Sequence, residues 1–201
     1  MKYADSIAAV AVLQPDYMGF IFYEKSKRFV GENFDADITV ALPSMIQKVG
    51  VFVNADFDYI TSKVAKYGLQ CVQLHGGESP ELCKRLQQIG IEVIKVFSVG
   101  EDFDFAELKV FENCCDYFLF DTKGKEHGGN GVTFNWEVLA NYPSEKPFFL
   151  SGGIGLEELP LLSKLQLPQL YAVDVNSRFE VNPAVKDVSK LKKLTKQLKK
   201  H

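Results

Sequence analysis

Short, nearly continuous apolar runs recur along the chain at residues 17–23, 48–53, 69–75, 92–97, 117–121, 147–151 and 170–175. They are rich in Val, Ile, Phe and Leu and do not alternate cleanly with polar residues. Strands buried on both faces of a parallel sheet read this way. Between the runs, apolar positions fall at helical spacing: Ile60, Val64 and Tyr67, then Leu82, Leu86 and Ile89, and finally Val188, Leu191, Leu194 and Leu198. Pro15, Gly50, Gly68, Gly90 and Pro147 sit near the strand entries, where each preceding helix must stop. Ser79-Pro80 opens a helix, with the serine as cap and the proline in the first turn. Strand and helix therefore alternate, which predicts an α/β domain built on a parallel sheet. With no linker or low-complexity stretch, residues 1–201 read as a single domain.

The order of elements is asymmetric. It opens on an amphipathic helix at about residues 5–13 and gives about eight helices to seven strands. A barrel of eight βα units closes without an edge, whereas seven strands leave two edges bare. The expectation is a (βα)8 TIM-type barrel with the N-terminal strand missing from this chain. An open doubly wound sheet is the alternative. Polar residues at the C-terminal ends of nearly every strand favour the barrel, which uses that whole rim, over a fold whose site lies at one switch point.

Composition narrows the function. At 46% hydrophobic and 24% charged residues with a net charge of -3, the chain is no general nucleic-acid binder, and small molecules are the expected partners. Cys71, Cys83, Cys114 and Cys115 show no C-x-x-C spacing, and only three histidines are present, so no metal site is expected. The cysteines read as reduced and the protein as cytoplasmic. No stretch approaches the roughly 20 apolar residues of a membrane span. The basic run 186–200 reads as the solvated face of the last helix.

Two consecutive strands end in small or polar residues, Ser151-Gly152-Gly153-Ile154-Gly155 and Val173-Asp174-Val175-Asn176-Ser177. Glycines there let backbone N–H groups approach a phosphate, and barrels often bind phosphate at their last two strands. Tight turns without a ligand would look the same. Asp121 ends the run Tyr117-Phe118-Leu119-Phe120, beside a dry interior. Burial favours a protonated carboxyl, the form a general acid needs near neutral pH. A turn or helix-capping aspartate is the other reading.

Longer blocks make the pattern specific. In order, the chain carries Gly19-Phe20-Ile21-Phe22-Tyr23-Glu24-Lys25-Ser26-Lys27-Arg28, Val49-Gly50-Val51-Phe52-Val53-Asn54, Val72-Gln73-Leu74-His75-Gly76, Phe120-Asp121-Thr122, Gly128-Gly129-Asn130-Gly131 and Gly152-Gly153-Ile154. Over nearly its whole length this resembles the phosphoribosylanthranilate isomerase family of tryptophan biosynthesis. The departures are Ser26-Lys27-Arg28 for S-P-R, Asn130 within the G-G-T-G loop, and Asn176-Ser177-Arg178 for S-S-G.

The resemblance implies an Amadori rearrangement of an aminoaldose phosphate to an aminoketose phosphate, without cofactor or metal. It implies Asp121 as general acid, Arg28 as the group holding the anthranilate carboxylate, and phosphate binding by Gly129, Gly131, Gly152, Gly153, Asp174, Asn176 and Ser177. Taken alone, Arg28 would read as a surface charge. His75 either polarises the substrate or hydrogen-bonds within the rim. The family's base is a cysteine in K-x-C-G at the end of the first strand, a motif this sequence does not contain. The expectation is therefore that Met1 is internal to the natural protein, that this cysteine lies just upstream, and that the 201 residues alone are impaired. The alternatives are a non-catalytic phosphate-ligand-binding barrel and another phosphosugar isomerase or epimerase. The assembly expected is a monomer or homodimer, with no nucleic-acid or membrane partner.

Overall fold

A computed structural model describes residues 1–122, 135–162 and 164–198. In chain order the elements are α1 (Ala4–Ala11), β1 (Tyr17–Ile21), α2 (Ala36–Val40), β2 (Gln47–Phe52), α3 (Phe57–Tyr67), β3 (Cys71–Leu74), α4 (Pro80–Gln88) and β4 (Glu92–Val99). There follow a 3-10 segment (Phe105–Phe111), β5 (Tyr117–Thr122), a second 3-10 segment (Trp136–Asn141), β6 (Phe148–Leu150), α5 (Leu159–Leu162) and β7 (Leu170–Val173). A short 3-10 turn (Ser177–Phe179) leads into a two-stranded antiparallel ribbon, β8 (Glu180–Asn182) and β9 (Val185–Lys186), before α6 (Val188–Leu198).

All seven expected strands form, and each pairs in parallel with its sequence neighbour in the order β1-β2-β3-β4-β5-β6-β7. A doubly wound sheet reverses its strand order at a switch point. This sheet does not, so the doubly wound alternative is set aside. The strands curl instead. Tyr17 of β1 packs edge-on against Phe149 of β6 and Tyr171 of β7, with ring centroids 5.1 and 6.3 Å away. The architecture is an α/β half-barrel of seven parallel strands, open between β7 and β1.

Burial on both faces accounts for the unbroken apolar runs. Inward-facing Val49, Cys71, Ile94, Val96, Leu119 and Phe149 form one cluster with Tyr17, Tyr117 and Ala172 packed against it. This cluster is the floor of the barrel. Outward-facing residues such as Phe20, Phe52, Val72, Phe118 and Phe148 pack under the helices in a second, larger core. The local signals act as their chemistry dictates. Ser79 Oγ accepts the Leu82 N–H to cap α4, and Gly68 ends α3 in a left-handed conformation with φ of 58°.

One expectation fails. The basic run does not begin on the last helix, because α6 starts at Val188 and Lys186 precedes it on β9, with its side chain only 9% exposed. The ribbon Glu180–Lys186 folds back so that this lysine points to the rim and not to solvent.

No helix among the described residues is long and apolar enough to cross a membrane.

Candidate active site

A cavity of about 770 Å³ runs from the C-terminal ends of the strands down the opening between β7 and β1. Arg28, His75, Asp121, Asp174 and Asn176 all line it, together with Gln73, Ser151, Glu180 and Lys186. Gly152, Gly153 and Ser177 follow Ser151 and Asn176 at the tips of the adjacent strands β6 and β7. Gly129 and Gly131 lie outside the described residues.

Asp121 is delivered by β5, where it is 5% exposed. Its Oδ1 accepts the Thr122 N–H at 2.9 Å, and its Oδ2 lies 3.4 Å from His75 Nε2. The other imidazole nitrogen, Nδ1, is 3.2 Å from Gln73 Nε2. An amide N–H donating to Nδ1 leaves the proton on Nε2, facing Asp121. His75 thus lies at the rim between Gln73 and Asp121.

The turn after β6 is pressed against this carboxyl. Gly152 has φ of 89°, and a Cβ there would stand 2.8 Å from Asp121 Oδ1 and 2.1 Å from Thr122 Oγ1. Only glycine fits. Across the turn, Arg178 donates from Nε to the Gly153 carbonyl at 3.3 Å and pairs with Glu158 at 2.9 Å. The arginine that departs from the family pattern thus ties the tips of β6 and β7 together.

Asp174 follows β7, its backbone N–H donating to the Leu150 carbonyl at 2.8 Å. Burial and the nearby Asp121 raise its carboxyl above the usual range, against the opposing pull of Lys186, His75 and a Ser151 hydrogen bond. Asp174 thus stands at the tip of β7 in the same cavity as Asp121.

Arg28 reaches the cavity from a segment that follows β1 and bridges back to it, Phe29 pairing with Ile21. Glu180 at the start of the ribbon accepts from Arg28 Nε at 3.0 Å and from Nη2 at 2.7 Å. Burial alone would raise the Glu180 carboxyl, but the Arg28 hydrogen bonds and the Lys186 charge outweigh it and hold it low. Lys186 donates to the same carboxylate at 3.2 Å and to Asn176 Oδ1 at 2.6 Å. Glu180 and Lys186 were missed in the sequence, where they sit in a short polar stretch with no periodicity.

The cysteines stand away from this chemistry. Cys71 lies in the barrel floor, where burial raises its thiol well above the ordinary value. Cys83 and Cys115 are pushed up to about 12, chiefly by burial. A general base needs the thiolate.

A parallel half-barrel whose polar residues converge on a cavity at the C-terminal rim is the arrangement of the TIM-type enzymes. The model of the N-(5'-phosphoribosyl)anthranilate (PRA) isomerase family matches residues 1–197. Among relatives, the N-(5'-phosphoribosyl)anthranilate isomerase of Parabacteroides distasonis is 41% identical over 98% of this chain and 90% of its own length. Among solved structures, phosphoribosyl anthranilate isomerase from Thermotoga maritima superimposes with a TM-score of 0.87 at 33% identity, covering 100% of this chain and 96% of that one. A phosphoribosyl anthranilate isomerase in complex with reduced 1-(o-carboxyphenylamino)-1-deoxyribulose 5-phosphate gives 0.83 at 30% identity, over 100% and 96% of the two chains. The chain belongs to the PRA isomerase family, isomerases of tryptophan biosynthesis.

Proposed function

We propose that this cavity carries out the Amadori rearrangement of N-(5'-phosphoribosyl)anthranilate to 1-(2-carboxyphenylamino)-1-deoxyribulose 5-phosphate. The observation that carries the reading is the buried Asp121 carboxyl, oriented by His75 and set between a cationic wall at Arg28 and the glycine turn at Gly152-Gly153. In the first step the bond between the anomeric carbon and the ring oxygen breaks. The ring oxygen takes a proton from Asp121, and the nitrogen lone pair forms the iminium double bond. In the second, a base takes the proton from the neighbouring sugar carbon. That electron pair forms the carbon–carbon double bond and returns the iminium pair to nitrogen, giving the enol form of the product. His75 holds Asp121. Backbone N–H groups of Gly152, Gly153 and Ser177, with Gly129, Gly131, Asp174 and Asn176, form the phosphate site.

The base is proposed to be a cysteine on a strand lying in the gap between β7 and β1. The cavity extends into that gap, past Met18 and Gly19 on one edge and Ala172 and Val173 on the other, down to Leu13 of the α1 end and Leu194 of α6. On this reading residues 1–201 alone bind the ligand and turn it over poorly. Like the Thermotoga maritima relative described as dimeric, the protein could form a homodimer, with a monomer as the other expected state and the cytoplasm as its compartment.

The test is turnover by a chain carrying the added strand, against its Asp121→Asn variant, with affinity for the reduced product measured in both. The variant is expected to lose about 10² to 10⁴ in rate, the usual worth of general acid catalysis, while affinity stays within a few-fold. Near-wild-type turnover would remove Asp121 from the mechanism. Failure of either form to bind the reduced product would overturn the assignment.

A further inference from the structure

The turn after β6 leaves backbone donors open. Gly152 and Gly153 are both left-handed, with φ of 89° and 68°, and the N–H groups of Gly152, Gly153 and Ile154 meet no acceptor among the described residues. The next donor is taken. Glu158 Oε2 accepts the Gly155 N–H at 2.8 Å, and a Cβ on Gly155 would stand 2.8 Å from that same oxygen. The other Glu158 oxygen accepts from Arg178 Nη2 at 2.9 Å, while Arg178 Nε donates to the Gly153 carbonyl at 3.3 Å. One carboxylate and one guanidinium thus clasp the turn at Gly153 and Gly155. The Gly153 carbonyl and the Ile154 N–H share one planar peptide and point opposite ways, so holding the first fixes the direction of the second. Two successive glycines have no steric reason to keep one shape, and without a clasp the ligand would have to order them as it bound.

We infer that Arg178 and Glu158 pre-order this turn for the phosphoryl group of the ligand, through a side-chain clasp anchored at a position where the family pattern has glycine. Both are positioning residues, and neither lines the cavity that holds Asp121. Their side chains are 43% and 19% exposed. An ion pair so open to solvent adds little to global stability, so the effect of the clasp is local to the turn. Its sign separates it from simple charge attraction. A guanidinium acting on phosphate only through its charge would be opposed by Glu158, and neutralising that carboxylate would strengthen phosphate binding. A clasp gives the opposite result, because glutamine has one side-chain acceptor where glutamate has two.

This inference rests on the proposed function in taking the turn after β6 to hold the phosphate. The test is calorimetric binding of the reduced product and of the same molecule without its phosphate, to the wild-type chain, Arg178→Gly, Glu158→Gln and the double variant. Circular dichroism checks that each variant is folded. Each single variant is expected to weaken the phosphorylated ligand about threefold to tenfold and the dephosphorylated one less than about twofold, as the ordering of one or two groups on binding implies. The double variant is expected to bind no more weakly than the weaker single one, since either change alone opens the clasp. Tighter binding of the phosphorylated ligand by Glu158→Gln, equal losses for the two ligands, or additive losses in the double variant would overturn the inference. Wild-type chain that binds the dephosphorylated ligand as tightly as the phosphorylated one would sink the proposed phosphate site instead.

Discussion

Asp174 shows how a residue's neighbours decide its part in the site. Its position at the tip of β7 follows from the apolar run that ends there, and the sequence places it beside a phosphate turn. In the fold it lines the same cavity as Asp121, and burial raises its carboxyl above the ordinary value. A carboxyl that is harder to ionise in the folded state binds more protons there than in the unfolded chain. Its contribution to stability is greatest below the unfolded value of about 3.9 and falls as pH rises through the folded one. At neutral pH the native protein therefore carries an electrostatic cost at this position. Asp174→Asn is expected to raise the melting temperature at pH 7, with the gain shrinking towards zero below about pH 4. A variant that melts lower than wild type at pH 7 would show that the hydrogen bond with Ser151 outweighs that cost. Asp121 was placed by the apolar run it ends, and Arg28 by the block it closes. Glu180 and Lys186 were not, since their meaning lies in contacts with residues more than a hundred positions away, such as Arg28.

At the scale of elements, the turn after β3 is held by a buried ion pair. Lys95 projects from β4, and its ammonium lies 3.1 Å from Glu78 Oε2 while donating to the carbonyls of Leu74 and Gly76 at 3.2 and 2.7 Å. Glu78 in turn accepts the N–H groups of Asn54 and Gly76 at 2.8 and 2.9 Å. The turn that carries His75 is thereby fixed to both neighbouring strands. Both side chains are almost fully buried, so removing one strands the other's charge. Lys95→Met is expected to cost about 3 to 5 kcal/mol in urea unfolding, and the double variant Lys95→Met with Glu78→Gln to recover part of that loss. Additive losses would mean that the two residues do not act as a pair. No spacing in the sequence links Lys95 to Glu78. Helix ends were easier, because Ser79 and Gly68 act through their own local backbone. The β8–β9 ribbon escaped notice, since seven residues containing Asn182 and Pro183 bury too little apolar surface to leave a period.

For the whole molecule, the sequential order of seven parallel strands was contained in the alternation of runs, and barrel curvature in the spread of polar residues around every strand end. What the pattern could not supply was how far the sheet curls. Tyr17 meeting Tyr171 shows that the two edges come back towards each other while β1 and β7 remain unpaired. Unpaired edges favour self-association, and the cavity runs into this opening. The account therefore stands on what fills the gap. Its most direct test is the rate at which N-(5'-phosphoribosyl)anthranilate is converted by residues 1–201 alone and by the same chain extended at its N-terminus with a short strand ending in Cys-Gly. The extended chain is expected to turn the substrate over and the 201 residues to show little or no activity while still binding the reduced product. Full activity from the 201 residues, or none from an extended chain that folds and binds the reduced product, would contradict it.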